Sequence, residues 1–422
     1  MIYKFLRWYT RWGIKFFYRN VFVFHKEKVD FNKAAIIASN HPAGFYESII
    51  LTTILPKPVH FLVRSDYVNI YFLKWFFNII KLLPIYRQSE GVKNLSKNQE
   101  VFDMINDELR NNSLIGIYPE GSTKYQFKVS SIKKGISRMI ANALKESIQP
   151  VRVVPIGFNF SDLTSFRSFL NVYSNGQLNF YKNDISSDNI NKDLRNITRQ
   201  IEDKLKDVNI DLDEKDKQEV FKTVQTLLIN EEISSYKVKS YEFNSQLPER
   251  LVKLSKKMNL MEHTEFEALK GETYIYSELL NKYKMSDSAV RSNKVNFINI
   301  LSIVIGLPVF LIGFLMNILP VVPAVFIVRR YTKEIEYKAV LLVLLSQFLY
   351  FFYFILIICL ALLWLNVWGL IVLISPFLAW YSVRYYDLIS DVIQSWRFNS
   401  LQKKEDILTQ RKKVMNLLSE IS

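Results

Sequence analysis

Cysteine is nearly absent from this chain. Cys359 is the only one in 422 residues, and it lies inside an apolar run. That excludes an intramolecular disulfide framework and a thiolate metal site, and it is compatible with a reducing compartment. Acidic residues are also short, 40 against 55 Lys plus Arg, which leaves a formal net charge of +15. Such an excess points to an anionic partner. Nucleic acid is not expected to be that partner, because zinc-finger spacing, a helix-turn-helix pattern and interleaved basic–aromatic strands are all missing. Residues 1–20 have no uninterrupted apolar core, since Lys4, Arg7, Arg11, Lys15 and Arg19 are spread evenly through them. A cleavable signal peptide is therefore not expected.

Charge itself is missing from two long stretches, 34 positions at 295–328 and 45 at 339–383. As helices these would span about 51 and 68 Å, against a hydrocarbon core of about 30 Å. With 49% hydrophobic and 14% aromatic residues overall, a membrane fits the basic chain better than a nucleic acid. The second run is long enough for two crossings that turn near Asn366, Trp368 and Gly369. The first is interrupted by Asn317, Pro320 and Pro323. Between them Arg329, Arg330, Lys333 and Lys338 outnumber Glu334 and Glu336, and the tail after 383 is basic too. Positive-inside bias places loop, tail and the preceding domain on the cytoplasmic side, so each run crosses an even number of times. Two hairpins are expected, the first re-entrant or fully spanning; a single tilted first span is the alternative. At the other end, Trp8, Trp12, Phe16, Phe17 and Tyr18 alternate with basic residues at helical spacing. This predicts an amphipathic helix over residues 1–20 lying in the membrane interface.

Between these ends, residues 21–160 alternate strand-like and helix-like segments. Strands are expected at 34–39, 59–64, 82–86, 114–118 and 151–158, and helices at about 45–55, 70–81, 92–111 and 132–147. This alternation predicts an α/β domain, a mostly parallel sheet flanked by helices, with its site on the loops after the strands' carboxyl ends. His41, Arg87 and Glu120 all fall on such loops. Residues 161–293 turn polar and charged and read as a helical accessory region. Residues 294–384 hold the transmembrane hairpins and 385–422 a helical cytoplasmic tail.

The stretch that organises the rest is Asn40-His41-Pro42-Ala43-Gly44-Phe45-Tyr46-Glu47-Ser48. An apolar strand ends on Asn40 and His41, Pro42 to Gly44 turn the chain, and Glu47 falls in the first turn of the next helix. The helix dipole favours a carboxylate there. Strand, histidine, turn and carboxylate form the geometry of a general base with an orienting acid. Tyr46 and Ser48 are alternatives for the orienting role.

This stretch resembles the His-x4-Asp motif of the glycerolipid acyltransferases, with five intervening residues instead of four and Glu in place of Asp. Three further blocks follow in the family's order. Leu83-Pro84-Ile85-Tyr86-Arg87 resembles Phe-Ile-x-Arg, whose arginine binds the acceptor's phosphate. Tyr118-Pro119-Glu120-Gly121-Ser122 resembles Phe-Pro-Glu-Gly-Thr/Ser, and Val153-Val154-Pro155-Ile156-Gly157 matches Val-Pro-Ile/Val-Gly. The resemblance covers about residues 20–160. The carboxyl-terminal apolar runs and Phe166-Arg167-Ser168 look like the membrane-bound glycerol-3-phosphate and dihydroxyacetone-phosphate branch.

The resemblance implies acyl transfer from acyl-CoA or an acyl carrier protein to a glycerol-phosphate-type acceptor in phospholipid biosynthesis, with membrane lipids as further partners. His41 and Glu47 would be catalytic. Arg87, Glu120, Gly121 and Ser122 would bind phosphate and glycerol, with Arg64 secondary for the same anion. A guanidinium suits that role because it contacts phosphate in bidentate fashion. No metal or cofactor is required, because a thioester is already activated. The alternatives are a 1-acylglycerol-3-phosphate acyltransferase and a retired, lipid-binding scaffold. A transporter is disfavoured, since the apolar runs lack any buried ionisable residue to mark a substrate or ion path.

Overall fold

The computed structural model describes residues 1–422 except 26–28, 66–73, 87–96, 147, 149, 187–188, 236–240, 244, 292–294 and 422. Nine strands among the described residues form one mixed sheet: β1 (Asn20–His25), β2 (Ala35–Ser39), β3 (Val59–Arg64), β4 (Leu82–Ile85), β5 (Leu114–Ile117), β6 (Val151–Phe160), β7 (Phe169–Ser174), β8 (Leu178–Phe180) and β9 (Tyr241–Phe243). Their order is β4-β3-β5-β2-β6-β7-β1-β9, with β8 also paired to β6. All pairings are parallel except β6–β7 and β6–β8. Strands β2 and β5 are buried at every position, as expected of central strands covered on both faces.

Helices Tyr46–Ile54, Lys74–Ile79, Lys97–Arg110 and Gly135–Lys145 make the crossovers from β2 through to β6 and fall where the apolar periodicity places them. The sheet does not stop near residue 160. β7, β8 and β9 come from the polar segment that follows and extend it through the antiparallel β6–β7 pair. Helix Ile190–Val208 packs Ile197, Ile201 and Leu205 against helix Gly135–Lys145, and helices Lys215–Ser235, Leu247–Leu260 and His263–Lys282 close over a second core centred on Phe221, Leu251, Leu269 and Tyr276. The carboxyl-terminal helix Lys404–Ile421 shares that core through Ile407, Val414 and Leu418. Gly157 on β6 admits no side chain, because a Cβ there would strike the carbonyl of Val208.

Among the described residues, two helical segments are long and apolar enough to cross a membrane, Phe297–Ile318 and the length from Ile335 to Asn399. The first apolar run breaks at Leu319 and Pro320 into helices Phe297–Ile318 and Val321–Tyr331. At 1.5 Å per residue they measure about 33 and 17 Å. The second run forms helix Ile335–Leu365, a 3₁₀ segment Asn366–Ile374 and helix Ser375–Asn399. The chain reverses at Asn366, which takes a left-handed φ of 50°.

Helices Phe297–Ile318 and Ser375–Asn399 run antiparallel, with Asn317 beside Ser375 and the Tyr385 hydroxyl bonded to the carbonyl of Ile303. Small residues allow this approach. A Cβ on Gly313 would lie 2.6 Å from the Leu378 carbonyl oxygen. Asn317 ties three helices together: its Oδ1 accepts from the hydroxyls of Tyr350 (2.7 Å) and Ser375 (2.8 Å). Replacing Gly313 by Leu is expected to separate this pair and lower the thermal stability of the detergent-solubilised protein. An unchanged melting profile would refute that packing.

Helix Ile2–Phe17 buries Ile14 and Phe17 and exposes Ile2, Phe5 and Trp8. Tyr9 and Gln347 bond to each other's backbone carbonyls, which fixes this helix along the apolar helix Ile335–Leu365.

Candidate active site

Strands β4, β3, β5 and β2 are parallel neighbours, so their carboxyl ends share one edge of the sheet. The chain leaves β2 through Asn40, whose side-chain amide bonds both ways to Phe158 of β6, donating at 2.9 Å and accepting at 2.8 Å. This clamp holds the strand end on its neighbour, so the turn that follows starts from a fixed point. In that turn Gly44 takes a φ of +67°, which an L side chain adopts only under strain.

Helix Tyr46–Ile54 then begins, with Glu47 fully buried in its first turn. Glu47 bends back onto the turn. One carboxylate oxygen accepts the Ala43 backbone N–H, and the other lies 3.3 Å from His41 Nδ1. That contact is close but off-line for a hydrogen bond, and neither atom has another hydrogen-bond partner. The imidazole stacks on the Tyr118 ring with centroids 4.0 Å apart and planes 12° from parallel. Tyr118 is anchored through its hydroxyl to Ser48 Oγ at 2.6 Å. Burial, reinforced by the nearby Glu47 charge, raises the Tyr118 hydroxyl well above its usual pKa, so the ring stays neutral.

Glu120 follows β5, the strand next to β2. Its carboxylate is buried and accepts the Ser130 backbone N–H at 3.3 Å. Burial raises its pKa, while bonds from Ser130 and from the His41 backbone, together with the His41 charge, oppose the rise. Gly121 closes the turn, donating its N–H to Tyr118 at 3.1 Å with a φ of +70°. Ser122 is exposed on the outside of the same turn. Arg64 ends β3, in register with Ile85 of β4. Arg87, two residues beyond Ile85, lies outside the described residues.

The fold thus gathers His41, Glu47 and Glu120 around one loop cluster, with Arg64 at the end of β3 on the same edge. Sequence reasoning passed over Tyr118, Asn40 and two residues of the apolar helix, Glu336 and Tyr337, which touch the turn between His41 and Glu47. Tyr118 was legible in principle, as the residue directly before Pro-Glu-Gly at a strand end. Glu336 and Tyr337 gave no local signal.

The geometry agrees with what comparison finds in the sequence. Residues 20–159 match the Acyltransferase family. The matched segment contains every residue of the loop cluster except those from the apolar helix. No curated protein sequence matches the chain significantly. Among solved structures the fold is similar to the 1-acyl-sn-glycerophosphate acyltransferase PlsC of Thermotoga maritima, at 14% identity and a TM-score of 0.34, covering 49% of this chain and 80% of that one.

Proposed function

We propose that this protein is a membrane-bound O-acyltransferase that moves a fatty acyl group from a thioester to a hydroxyl of glycerol 3-phosphate or a close relative. One observation carries the reading. Within the acyltransferase segment, a histidine at a strand end has its Nδ1 3.3 Å from a fully buried carboxylate. Glu47 fixes the tautomer and ring orientation of His41, which leaves Nε2 to take the proton of the acceptor hydroxyl. The alkoxide oxygen bonds to the thioester carbonyl carbon, the C–S bond breaks, and the imidazolium returns its proton to the departing thiolate. Arg87 and, secondarily, Arg64 bind the acceptor's phosphate, while Glu120, Gly121 and Ser122 shape the glycerol pocket.

In this reading the two apolar segments sit in the bilayer as hairpins, and the positive-inside bias supports a catalytic domain and basic tail on the cytoplasmic side. The interfacial helix at 1–20 lies on the headgroups. Membrane placement suits a reaction whose product is a lipid.

Incubating the purified protein with a labelled acyl thioester and glycerol 3-phosphate, dihydroxyacetone phosphate or lysophosphatidate tests the proposal and identifies the acceptor. Acylation of none of the three would refute it. Arg87→Ala is expected to raise the acceptor KM about ten-fold or more while sparing kcat, because a phosphate contact made equally in ground and transition states contributes uniform binding. A change confined to the donor's KM would contradict the phosphate role.

A further inference from the structure

The family match ends at residue 159, yet the catalytic turn is also held from the far end of the chain. Helix Ile335–Leu365 begins directly over it. The Tyr337 ring covers Gly44 so closely that a Cβ there would lie 2.8 Å from its Cδ1 and 2.9 Å from its Cε1. One residue earlier, Glu336 Oε1 accepts the backbone N–H of Tyr125 at 3.2 Å. The adjoining residue, Lys124, donates its own N–H to the His41 carbonyl at 3.2 Å. Two consecutive residues therefore connect the His41 backbone on one side to the apolar helix on the other. One turn further along, Ala339, Val340 and Val343 enter the same apolar core as Ala43, Tyr46 and Ile50. The turn between His41 and Glu47 is thus boxed in by Tyr118 and by the first two turns of a helix that carries no charge from Ala339 to its end at Leu365.

We infer that Glu336 and Tyr337 are positioning residues for His41, so that the apolar helix must be seated for the catalytic pair to align. The inference rests on the acyltransferase reading and adds to it a part of the site that lies outside the family segment. Tyr337 fills the space that Gly44 leaves and keeps the turn in its left-handed conformation. Glu336 fixes the 124–125 strap, and through it the carbonyl of His41. Neither reaches the reacting atoms. Their loss lowers the fraction of enzyme in which the imidazole points correctly, which is a loss in kcat rather than in substrate affinity.

The test uses the full-length protein in lipid nanodiscs, with kcat and both KM values measured for Tyr337→Ala, Tyr337→Phe, Glu336→Ala and Glu336→Gln, alongside wild type and His41→Ala. Both alanine variants are expected to lose about ten-fold in kcat, with each KM within about two-fold of wild type. Phe keeps the ring and Gln keeps an acceptor oxygen, so these two variants should recover to within about two-fold. Unchanged kcat in the alanine variants would overturn the inference, as would losses that appear in KM or conservative variants as impaired as alanine. If wild type turns over in a His41-dependent way and the variants match it, only this inference fails. If wild type transfers no acyl group to any acceptor, the functional reading fails and takes the inference with it.

Discussion

Replacing His41 by Ala is expected to lower the rate of acyl transfer by about 10²–10⁴-fold, the usual contribution of a positioned general base. In the proposed reaction the substitution removes the group that accepts the hydroxyl proton and later returns it to the thiolate. It leaves in place the machinery that binds either substrate. The imidazole is only partly enclosed, with 17% of its side chain exposed, and its backbone carbonyl would still accept from Lys124. The fold should therefore survive, and a His41→Gln variant that refills the space serves as a check on that point. Release of free thiol from an acyl thioester in the presence of acceptor is the measurement, with a melting curve beside it. Turnover within ten-fold of wild type in a folded His41→Ala protein would discard the mechanism. A Glu47→Asp variant should be impaired less, since it keeps the charge and shortens only its reach.

The second large effect concerns stability. Arg167 is buried, sits at a left-handed φ of 65°, and donates from Nε (2.8 Å) and Nη2 (2.6 Å) to the two oxygens of Asp387 on helix Ser375–Asn399. Its Nη1 reaches the carbonyls of Lys15, Phe16 and Tyr18, which satisfies the end of helix Ile2–Phe17. Arg19 makes a second pair with Asp391 one turn along the same helix. Removing Asp387 alone strands a buried guanidinium, at a cost of roughly 3–5 kcal/mol. Asp387→Ala is therefore expected to lower the unfolding temperature of the solubilised protein by about 3–6 °C, at about 1 °C per kcal/mol for a chain of 422 residues. Arg167→Met combined with Asp387→Leu should recover only part of this, because the desolvation penalty disappears with both charges while the carbonyls of Lys15, Phe16 and Tyr18 lose their donor. A neutral Asp387→Ala would mean that the pair does not secure the apolar helix to the sheet.

How much of this could be read beforehand depended on the range of the interaction. The crossover helices and central strands followed from apolar periodicity, a property of neighbouring residues. Strand β1, residues 20–25, was passed over because it pairs with β7 and β9, far along the chain, and borders the amphipathic helix. The expected edge of the sheet near residue 160 fell short for a related reason. β7 lies in the polar segment, and only its pairing with β6 and β1 makes it a strand. Within the site, Glu47 was legible because its contact with His41 spans six residues and one turn. Glu336 was not, since its bond to Tyr125 crosses 211 positions.

The sequence by itself determined that a histidine and a carboxylate close one tight turn at a strand's end, and that two long apolar lengths carry no charge. Both are consequences of local spacing and solvation. Tertiary structure alone decided that Arg167 locks onto Asp387 and that the apolar helix roofs the turn between His41 and Glu47. Those contacts depend on which distant surfaces meet once the sheet has formed, and no local pattern encodes that.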